Sequence, residues 1–223
     1  SPALQNTKAY RDGLFHVQDI SSQFCAAALG AKPGDRVLDV CAAPGGKTFT
    51  VAEIMENRGE VVACDLHAKR AKLVKTGGER LGLGIITARA NDATVYDESF
   101  GKFDKVLCDV PCSGLGVIRR KPEIRFKKPE DLQSLPKIQY RIAAASAKYL
   151  KEGGVLVYST CTLSRDENEN VVKQLMERER LLPEKLPEEL QKYSADGYSV
   201  TLLPGEINSD GFYFARLRKG KAE

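Results

Sequence analysis

The segment RVLDVCAAPGGKT, residues 36–48, decides the fold. It begins as a nearly continuous apolar run, which is typical of a strand buried on both faces of a parallel sheet. The run passes directly into a loop of small residues and then into a helical pattern. A strand, a short glycine-containing loop and a helix in this order form the first half of a βαβ unit. The segment therefore predicts an α/β protein whose ligand lies beyond this loop.

The same alternation continues along the chain. Apolar strand patterns occupy residues 36–41, 60–65, 84–90, 105–110 and 153–161, and helical patterns occupy 45–57, 68–82, 130–151 and 165–180. Repeated βα alternation predicts a doubly wound, mostly parallel sheet with right-handed crossovers. The alternating segment 211–219 predicts a last, antiparallel strand at or near an edge.

Local signals predict where these elements begin and end. Ser164 and Glu167 have the spacing of a capping box at the start of the fourth helix. Gly153-Gly154 is expected to end the helix before the fifth strand, and Pro136 to divide the 130–151 pattern into two helices. Residues 181–195 are predicted to be a polar connection.

Composition limits the class of protein. The 223 residues suffice for one large α/β domain, and 42% hydrophobic and 29% charged residues are ordinary for a soluble protein. No apolar stretch approaches the ~18–20 residues of a membrane span. The six cysteines show no C-x2-C spacing, so we expect reduced cysteines and no metal site. A cytoplasmic monomer without an obligate protein partner is expected.

Polar and thiol side chains follow each of the five predicted parallel strands. They are Cys41 to Lys47 after the first strand, Asp65 after the second, Asn91-Asp92 after the third, Asp109 and Cys112 after the fourth, and Thr160-Cys161 after the fifth. The carboxyl ends of parallel strands meet at one edge of the sheet, where ligands bind. We therefore expect these residues to form one site.

The loop at residues 39–48 fits three kinds of ligand site unequally. Gly46-Lys47-Thr48 matches the end of a phosphate-binding P-loop, but Cys41 stands at the first glycine position. The G-x-G-x-x-G sequence of a dinucleotide fold is absent. A nucleoside cofactor without phosphates fits better, because Asp65 can accept hydrogen bonds from ribose hydroxyls and Asp92 from an adenine amine. That pattern suits S-adenosylmethionine (SAM).

The two loop cysteines suggest which chemistry accompanies SAM. The C5 carbon of cytosine is too weak a nucleophile to attack a methyl sulfonium unaided, but a thiolate added to C6 activates it. The reaction also needs a carboxyl group near the ring and a base for the C5 proton. Cys112, Cys161 and Asp109 provide groups of these types. Cys25, Cys64 and Cys108, in contrast, fall in helix or strand patterns and are expected to pack in the core.

Six motifs carry a resemblance to a known family. They are FHVQDISSQ (15–23), DVCAAPGGKT (39–48), DVPCSGLGVIRRKPEIR (109–125), YSTCTL (158–163), ENENVV (167–172) and DGFYFARL (210–217). Together they resemble the RNA 5-methylcytosine methyltransferases, and are most similar to the bacterial RsmB type that modifies 16S ribosomal RNA. The resemblance covers residues 13–218 and implies a Rossmann-like SAM-dependent methyltransferase fold.

The resemblance also implies roles for individual residues. Cys161 would attack C6 of the cytosine, Cys112 would assist release of the product, and Asp109 would lie between the methyl group and the base. The implied SAM-binding residues are Cys41, Ala42, Ala43, Pro44, Gly45, Gly46, Lys47, Asp65, Arg70, Asp92 and Asp109.

The resemblance implies RNA, specifically 16S rRNA, as the partner. The stretch RRKPEIRFKK (119–128) carries six cations and one acid. Its Arg119, Arg120, Lys121 and Arg125 are candidates for phosphate contacts. Residues 18–223 would be the catalytic domain, and residues 1–17 a linker or the remnant of a preceding NusB-like RNA-binding module. A P-loop NTPase and a non-catalytic RNA-binding protein remain the alternatives from other classes.

Overall fold

The computed structural model describes residues 4–205 and 207–221, which form a central sheet with helices on both faces. The strands are β1 (Arg36–Asp39), β2 (Glu60–Asp65), β3 (Ile86–Ala90), β4 (Phe103–Asp109), β5 (Leu150–Thr160), β6 (Leu181–Pro183), β7 (Ser199–Leu202) and β8 (Phe212–Lys219). The helices are α1 (Lys8–Arg11), α2 (Ile20–Ala28), α3 (Gly46–Ile54), α4 (Ala68–Arg80), α5 (Pro129–Leu132), α6 (Leu135–Ala147), α7 (Glu169–Arg178) and α8 (Glu188–Gln191).

The sheet topology confirms the predicted fold class. The strand order is β3-β2-β1-β4-β5-β8-β6, and β7 pairs with β8. Strands β1 to β5 are parallel, whereas β8 is antiparallel to β5, β6 and β7. The order reverses between β1 and β4, and ligands bind at such a switch point. The loops that follow β1 and β4 therefore lie next to each other.

The core forms two layers because successive residues of a strand point to opposite faces of the sheet. Val37 belongs to the layer that contains Cys25 from α2 and Phe49 from α3. Leu38, the next residue of β1, belongs to the layer that contains Ile142 from α6. Burying a side chain of this size contributes roughly 1.5–3 kcal/mol. Burial on both faces explains why the patterns of β1 and β2 are continuous rather than alternating.

Two predictions of element ends are wrong. Helix α6 ends at Ala147, and Gly153-Gly154 lies inside β5, where the register with β4 shifts and Gly153 has a φ of +72°. Helix α7 begins at Glu169 with Asn168 as its N-cap residue, so Ser164 and Glu167 form no capping box at its start. The predicted division of the 130–151 pattern is confirmed, since α5 and α6 are separate helices.

The regions outside the main alternation contain more regular structure than predicted. Helix α2 occupies residues 20–28, and the supposed connection 181–195 contains β6 and α8. The described part of residues 1–17 packs on α4, where Arg80 donates hydrogen bonds to the carbonyl oxygens of Tyr10 and Phe15 at 2.6 and 3.1 Å. Within residues 4–205 and 207–221, no helix is both long enough and apolar enough to cross a membrane.

Candidate active site

Two cysteine thiols meet where the neighbouring strands β4 and β5 end. Asp109 pairs in register with Ser159, so the loops that follow the two strands leave the sheet side by side. The Sγ atoms of Cys112 and Cys161 are 3.1 Å apart. The cysteines are 49 positions apart in the sequence, and only the parallel pairing of β4 with β5 brings them together.

The environment makes the two thiols chemically unequal. The hydrogen-bonded contact with Cys112 lowers the pKa of Cys161, and burial works against this effect. The same contact, reinforced by burial, raises the pKa of Cys112 well above its ordinary value. The thiolate is the nucleophilic form of cysteine. The opposite pKa shifts therefore favour Cys161 as the nucleophile and Cys112 as its proton-bearing neighbour.

Lys47 and Asp109 form an ion pair beside the thiols. Lys47 Nζ lies 2.7 Å from Asp109 Oδ2, and Asp109 Oδ1 accepts a hydrogen bond from Ser159 Oγ at 2.7 Å. Burial acts to lower the pKa of Lys47, but Asp109, Cys25 and Asp39 together outweigh it, and the pKa lies above its ordinary value. Lys47 is thus a fixed cation rather than a base. Its charge contributes to the lowered pKa of Cys161.

The loop between β1 and α3 has the shape that the small residues predict. Gly45 has a φ of +117°, and a Cβ atom on it would lie 2.3 Å from the Phe49 ring. Only glycine is therefore compatible with this turn into α3. Behind the loop, buried Asp39 accepts a hydrogen bond from Thr48 Oγ1 at 2.7 Å. Burial raises the pKa of Asp39 to about 7.

Asp65 and Arg70 lie together against the other side of this loop. Asp65 is 3% exposed, and its Oδ1 accepts a hydrogen bond from the His67 amide at 3.1 Å. Arg70 lies 3.5 Å from Asp65 Oδ2 and donates a hydrogen bond to the Ala43 carbonyl at 2.9 Å. A buried carboxylate facing a loop of small residues fits the ribose of a nucleoside such as SAM. The P-loop alternative lacks support here, since Lys47 is engaged by Asp109.

Asp92 follows the end of β3, next to Asn91, whose amide donates a hydrogen bond to the Asp65 carbonyl at 3.0 Å. Its exposed carboxylate accepts hydrogen bonds from the backbone amide and the hydroxyl of Thr94 at 2.9 and 2.8 Å. These bonds lower the pKa of Asp92. Asp92 also lines a surface cavity with Asn91, Val95, Tyr96, Asp97 and Glu98. An adenine contact by Asp92 remains a prediction.

The basic stretch divides into two parts. Arg119 and Arg120 lie against Asp210, which is 1% exposed; Arg119 is 3.7 Å from it, and Arg120 is in closer contact. Lys121 and Arg125 are exposed, and Arg125 donates a hydrogen bond to the nearby Pro122 carbonyl. A phosphate-binding role for all four cations remains a prediction.

Sequence reasoning missed a buried polar cluster beneath the two cysteines. Glu167, assigned from its spacing to a helix cap, instead accepts hydrogen bonds from the Ser113 amide and from Gln139, both at 2.8 Å. Gln139 was not singled out, because its apolar surroundings on α6 give no sign of a polar partner. The motif ENENVV was the one signal that could have indicated this cluster.

Cys25, Cys64 and Cys108 lie in the core, as their positions in strand and helix patterns predict. Burial raises the pKa of Cys25, Cys64 and Cys108 to about 12 in each case. Burial also raises the pKa of Cys41 well above its ordinary value, which disfavours a thiolate at this position. Across the described residues, no group of three or more His, Cys, Asp or Glu side chains could hold a metal ion.

Comparison with known proteins gives consistent matches. The chain is 42% identical, over 97% of its length, to the probable ribosomal RNA small subunit methyltransferase B of Bacillus subtilis, of which it covers 50%. It is 35% identical, over 99% of its length, to the tRNA (cytosine(72)-C(5))-methyltransferase of Pyrococcus horikoshii, of which it covers 56%. The chain thus spans about half the length of the curated relatives it matches.

Solved structures and family models agree with these relatives. The crystal structure of NSun6 from Pyrococcus horikoshii with SFG superposes with a TM-score of 0.89 at 34% identity, covering 100% of this chain and 57% of that one. The model of the 16S rRNA methyltransferase RsmB/F family matches residues 26–218. That match includes both cysteine loops and the loop between β1 and α3, and the chain belongs to the 16S rRNA methyltransferase RsmB/F family.

Proposed function

We propose that this chain is the catalytic part of a SAM-dependent RNA (cytosine-5-)-methyltransferase that acts on 16S rRNA. The observation that carries the proposal is the thiol pair. Cys112 and Cys161 lie 3.1 Å apart, and their hydrogen bond lowers the pKa of Cys161. A thiolate held at the edge of a SAM-binding sheet suits addition to a pyrimidine ring.

The proposed reaction uses the two thiols in turn. The Cys161 thiolate forms a bond to C6 of cytosine, and the electron pair of the C5–C6 double bond makes C5 nucleophilic. SAM, when bound, supplies the methyl group that C5 accepts. A base then removes the proton from C5, the double bond reforms and the S–C6 bond breaks, which returns the Cys161 thiolate. Cys112, in contact with the departing sulfur, assists this last step.

The remaining site residues bind and orient the reactants. The loop from Cys41 to Lys47, together with Asp65 and Arg70, would hold SAM. Lys47 and Asp109 keep opposite charges at fixed positions beside the thiols, with Asp109 oriented by Ser159. Such preorganised charge favours the ring charge that develops after thiolate addition. The target cytosine must be unstacked to reach these groups.

Substitution of the two cysteines tests the assignment. Methyl transfer from labelled SAM to 16S rRNA should be lost in Cys161→Ala, and activity near wild type would reject Cys161 as nucleophile. Cys112→Ala should accumulate a protein–RNA adduct that survives a denaturing gel. Cys108→Ala is the matched control, since Cys108 is buried in the core. A preference for tRNA transcripts over 16S rRNA would overturn the proposed target but not the chemistry.

A further part of the proposal concerns the oligomeric state, the location and the domain bounds of the chain. We propose a cytoplasmic monomer in which residues 18–223 form the catalytic domain, supported by the family's ribosomal RNA methyltransferases and by the core that spans both layers of the sheet. Light scattering on the purified chain tests the monomer, because a mass of two chains would contradict it.

A further inference from the structure

We propose that Glu167 and Asn168, which are consecutive in the chain, are positioning residues that hold the two cysteine loops separately. Glu167 holds the loop of Cys112, and Asn168 holds the turn of Cys161. The inference rests on the proposed function for the roles of the two thiols. It goes beyond that function by naming residues that position each thiol.

Glu167 fixes the loop of Cys112 from both sides. Its Oε2 accepts hydrogen bonds from the Ser113 amide and from Gln139 Nε2, both at 2.8 Å. Gln139 Nε2 also donates to the Pro111 carbonyl at 3.0 Å. The residue after Cys112 is therefore tied to this buried carboxylate directly, and the residue before it through Gln139.

Asn168 fixes the turn of Cys161 in the same way. Its Oδ1 accepts a hydrogen bond from Thr160 Oγ1 at 2.5 Å, and its Nδ2 donates to the Thr162 carbonyl at 3.0 Å. Thr160 and Thr162 flank Cys161. The amide thus acts as both donor and acceptor, which no other side chain type of this size does with the same geometry.

Burial makes these contacts strict. Glu167 is 4% exposed and Asn168 is 1% exposed. Buried polar groups that lose their partners are costly, so the loops have little freedom to choose other positions. Both residues belong to one short segment at the start of α7, so that segment ties the two loops to one frame. It acts beside the direct contacts between the loops, from Ser113 Oγ to Thr162 Oγ1 at 2.7 Å and from the Gly116 amide to the Cys161 carbonyl at 3.0 Å. Displacing a reacting group by about 1 Å can cost on the order of 10²-fold in rate.

The test compares Glu167→Ala and Asn168→Ala by adduct formation on denaturing gels and by turnover. Glu167→Ala should retain attack but lose assisted release, so a protein–RNA adduct should accumulate. Asn168→Ala should misplace the nucleophile, so no adduct should accumulate while turnover falls on the order of 10²-fold. A purely structural role would give both variants the same phenotype.

The Cys112→Ala background separates the two roles further. With Cys112 already absent, Glu167→Ala should leave the rate of adduct formation within about twofold, because its effect passes through the missing thiol. Asn168→Ala should still lower that rate on the order of 10²-fold. Equal effects of the two substitutions in this background would overturn the inference.

Controls keep the test decisive. Asn170→Ala and Glu177→Ala remove exposed side chains of α7 and should change neither readout. If an alanine variant fails to fold, Gln139→Met removes one partner of Glu167, and Thr160→Val removes one partner of Asn168. Gln139→Met should then behave as Glu167→Ala does, and Thr160→Val as Asn168→Ala does. Should Cys161→Ala rather than Cys112→Ala trap the adduct, the cysteine roles of the proposed function are reversed. In that case Asn168→Ala should accumulate the adduct and Glu167→Ala should not, and any other result overturns the inference.

Discussion

Replacing Gly116 with alanine should disturb the active site through the backbone alone. Three chain segments meet at this glycine, which lies in the loop that follows β4. Its amide donates to the Cys161 carbonyl at 3.0 Å, and its carbonyl accepts from the Gly211 amide at 2.9 Å. A Cβ atom there would lie 2.1 Å from the Gly211 oxygen and 2.9 Å from the Cys161 oxygen.

The magnitude follows from these distances. Ordinary van der Waals contact between such atoms begins near 3.4 Å, so the backbone at Gly211 must retreat by more than 1 Å. Overpacking of this kind in a buried site costs typically about 1–3 kcal/mol in the free energy of unfolding. For a chain of this size, each kcal/mol corresponds to a fall in Tm of about 2–4 °C. Because Cys161 moves with its carbonyl, methyl transfer should fall on the order of 10²-fold.

Urea unfolding and methyl transfer should be measured on Gly116→Ala beside a matched substitution, Gly84→Ala. A Cβ atom on Gly84 meets no heavy atom within 4 Å, and neither glycine has a left-handed φ. Gly84→Ala should therefore be neutral or stabilising by up to about 1 kcal/mol, through the unfolded chain. If both variants unfold within about 0.5 kcal/mol of the parent chain and retain its activity, the proposed close approach at Gly116 is wrong.

Three further predictions concern charge. Burial raises the pKa of Asp39 from 3.8 to about 7, so its carboxylic acid stabilises the fold at low pH and that stability is lost as the pH rises to 7. In urea titrations, the free energy of unfolding of Asp39→Asn should rise by about 2–3 kcal/mol relative to that of the parent chain between pH 5 and pH 8. A difference that stays constant with pH would contradict this. Lys47→Met should move the half-maximal rate of Cys161 alkylation by iodoacetamide to higher pH, since a neighbouring cation is lost; an unchanged profile would exclude the charge effect. Replacing Lys121 and Arg125 with glutamine should reduce the slope of log affinity for RNA against log salt by about 1.5, and an unchanged slope would remove both from the phosphate contacts.

The sequence predicted the strands of the sheet well where one physical signal dominates. The β2 prediction coincides with the observed strand because its residues are buried on both faces without interruption. The prediction for β5 failed at Gly153-Gly154, since the glycines mark a register shift against β4 rather than the end of a helix. Helix α2 was missed because its small and polar residues give a weak apolar stripe.

The sequence predicted which residues lie at the strand ends of the site, but not the hydrogen bonds that join them. Parallel topology alone places Asp109 and Cys112 beside Cys161, and this follows from the order of elements. Glu167 was assigned to a helix cap because spacing in sequence shows only local partners. Its actual partners lie 54 and 28 positions away, at Ser113 and Gln139, and only the packed structure brings them together.

The asymmetry of the two thiols suggests why the proposed enzyme uses a pair. When Cys161 is a thiolate, its sulfur can accept a hydrogen bond from Cys112 at 3.1 Å, and this contact is the largest cause of the raised pKa of Cys112. Once Cys161 is bonded to C6 of cytosine, its sulfur carries no negative charge and that cause disappears. The Cys112 thiol then gives its proton to water more readily, and the thiolate so formed can accept the C5 proton that elimination removes. The same contact that keeps Cys112 protonated during attack is thus removed by the attack itself, so the order of the two roles follows from the chemistry of Cys161.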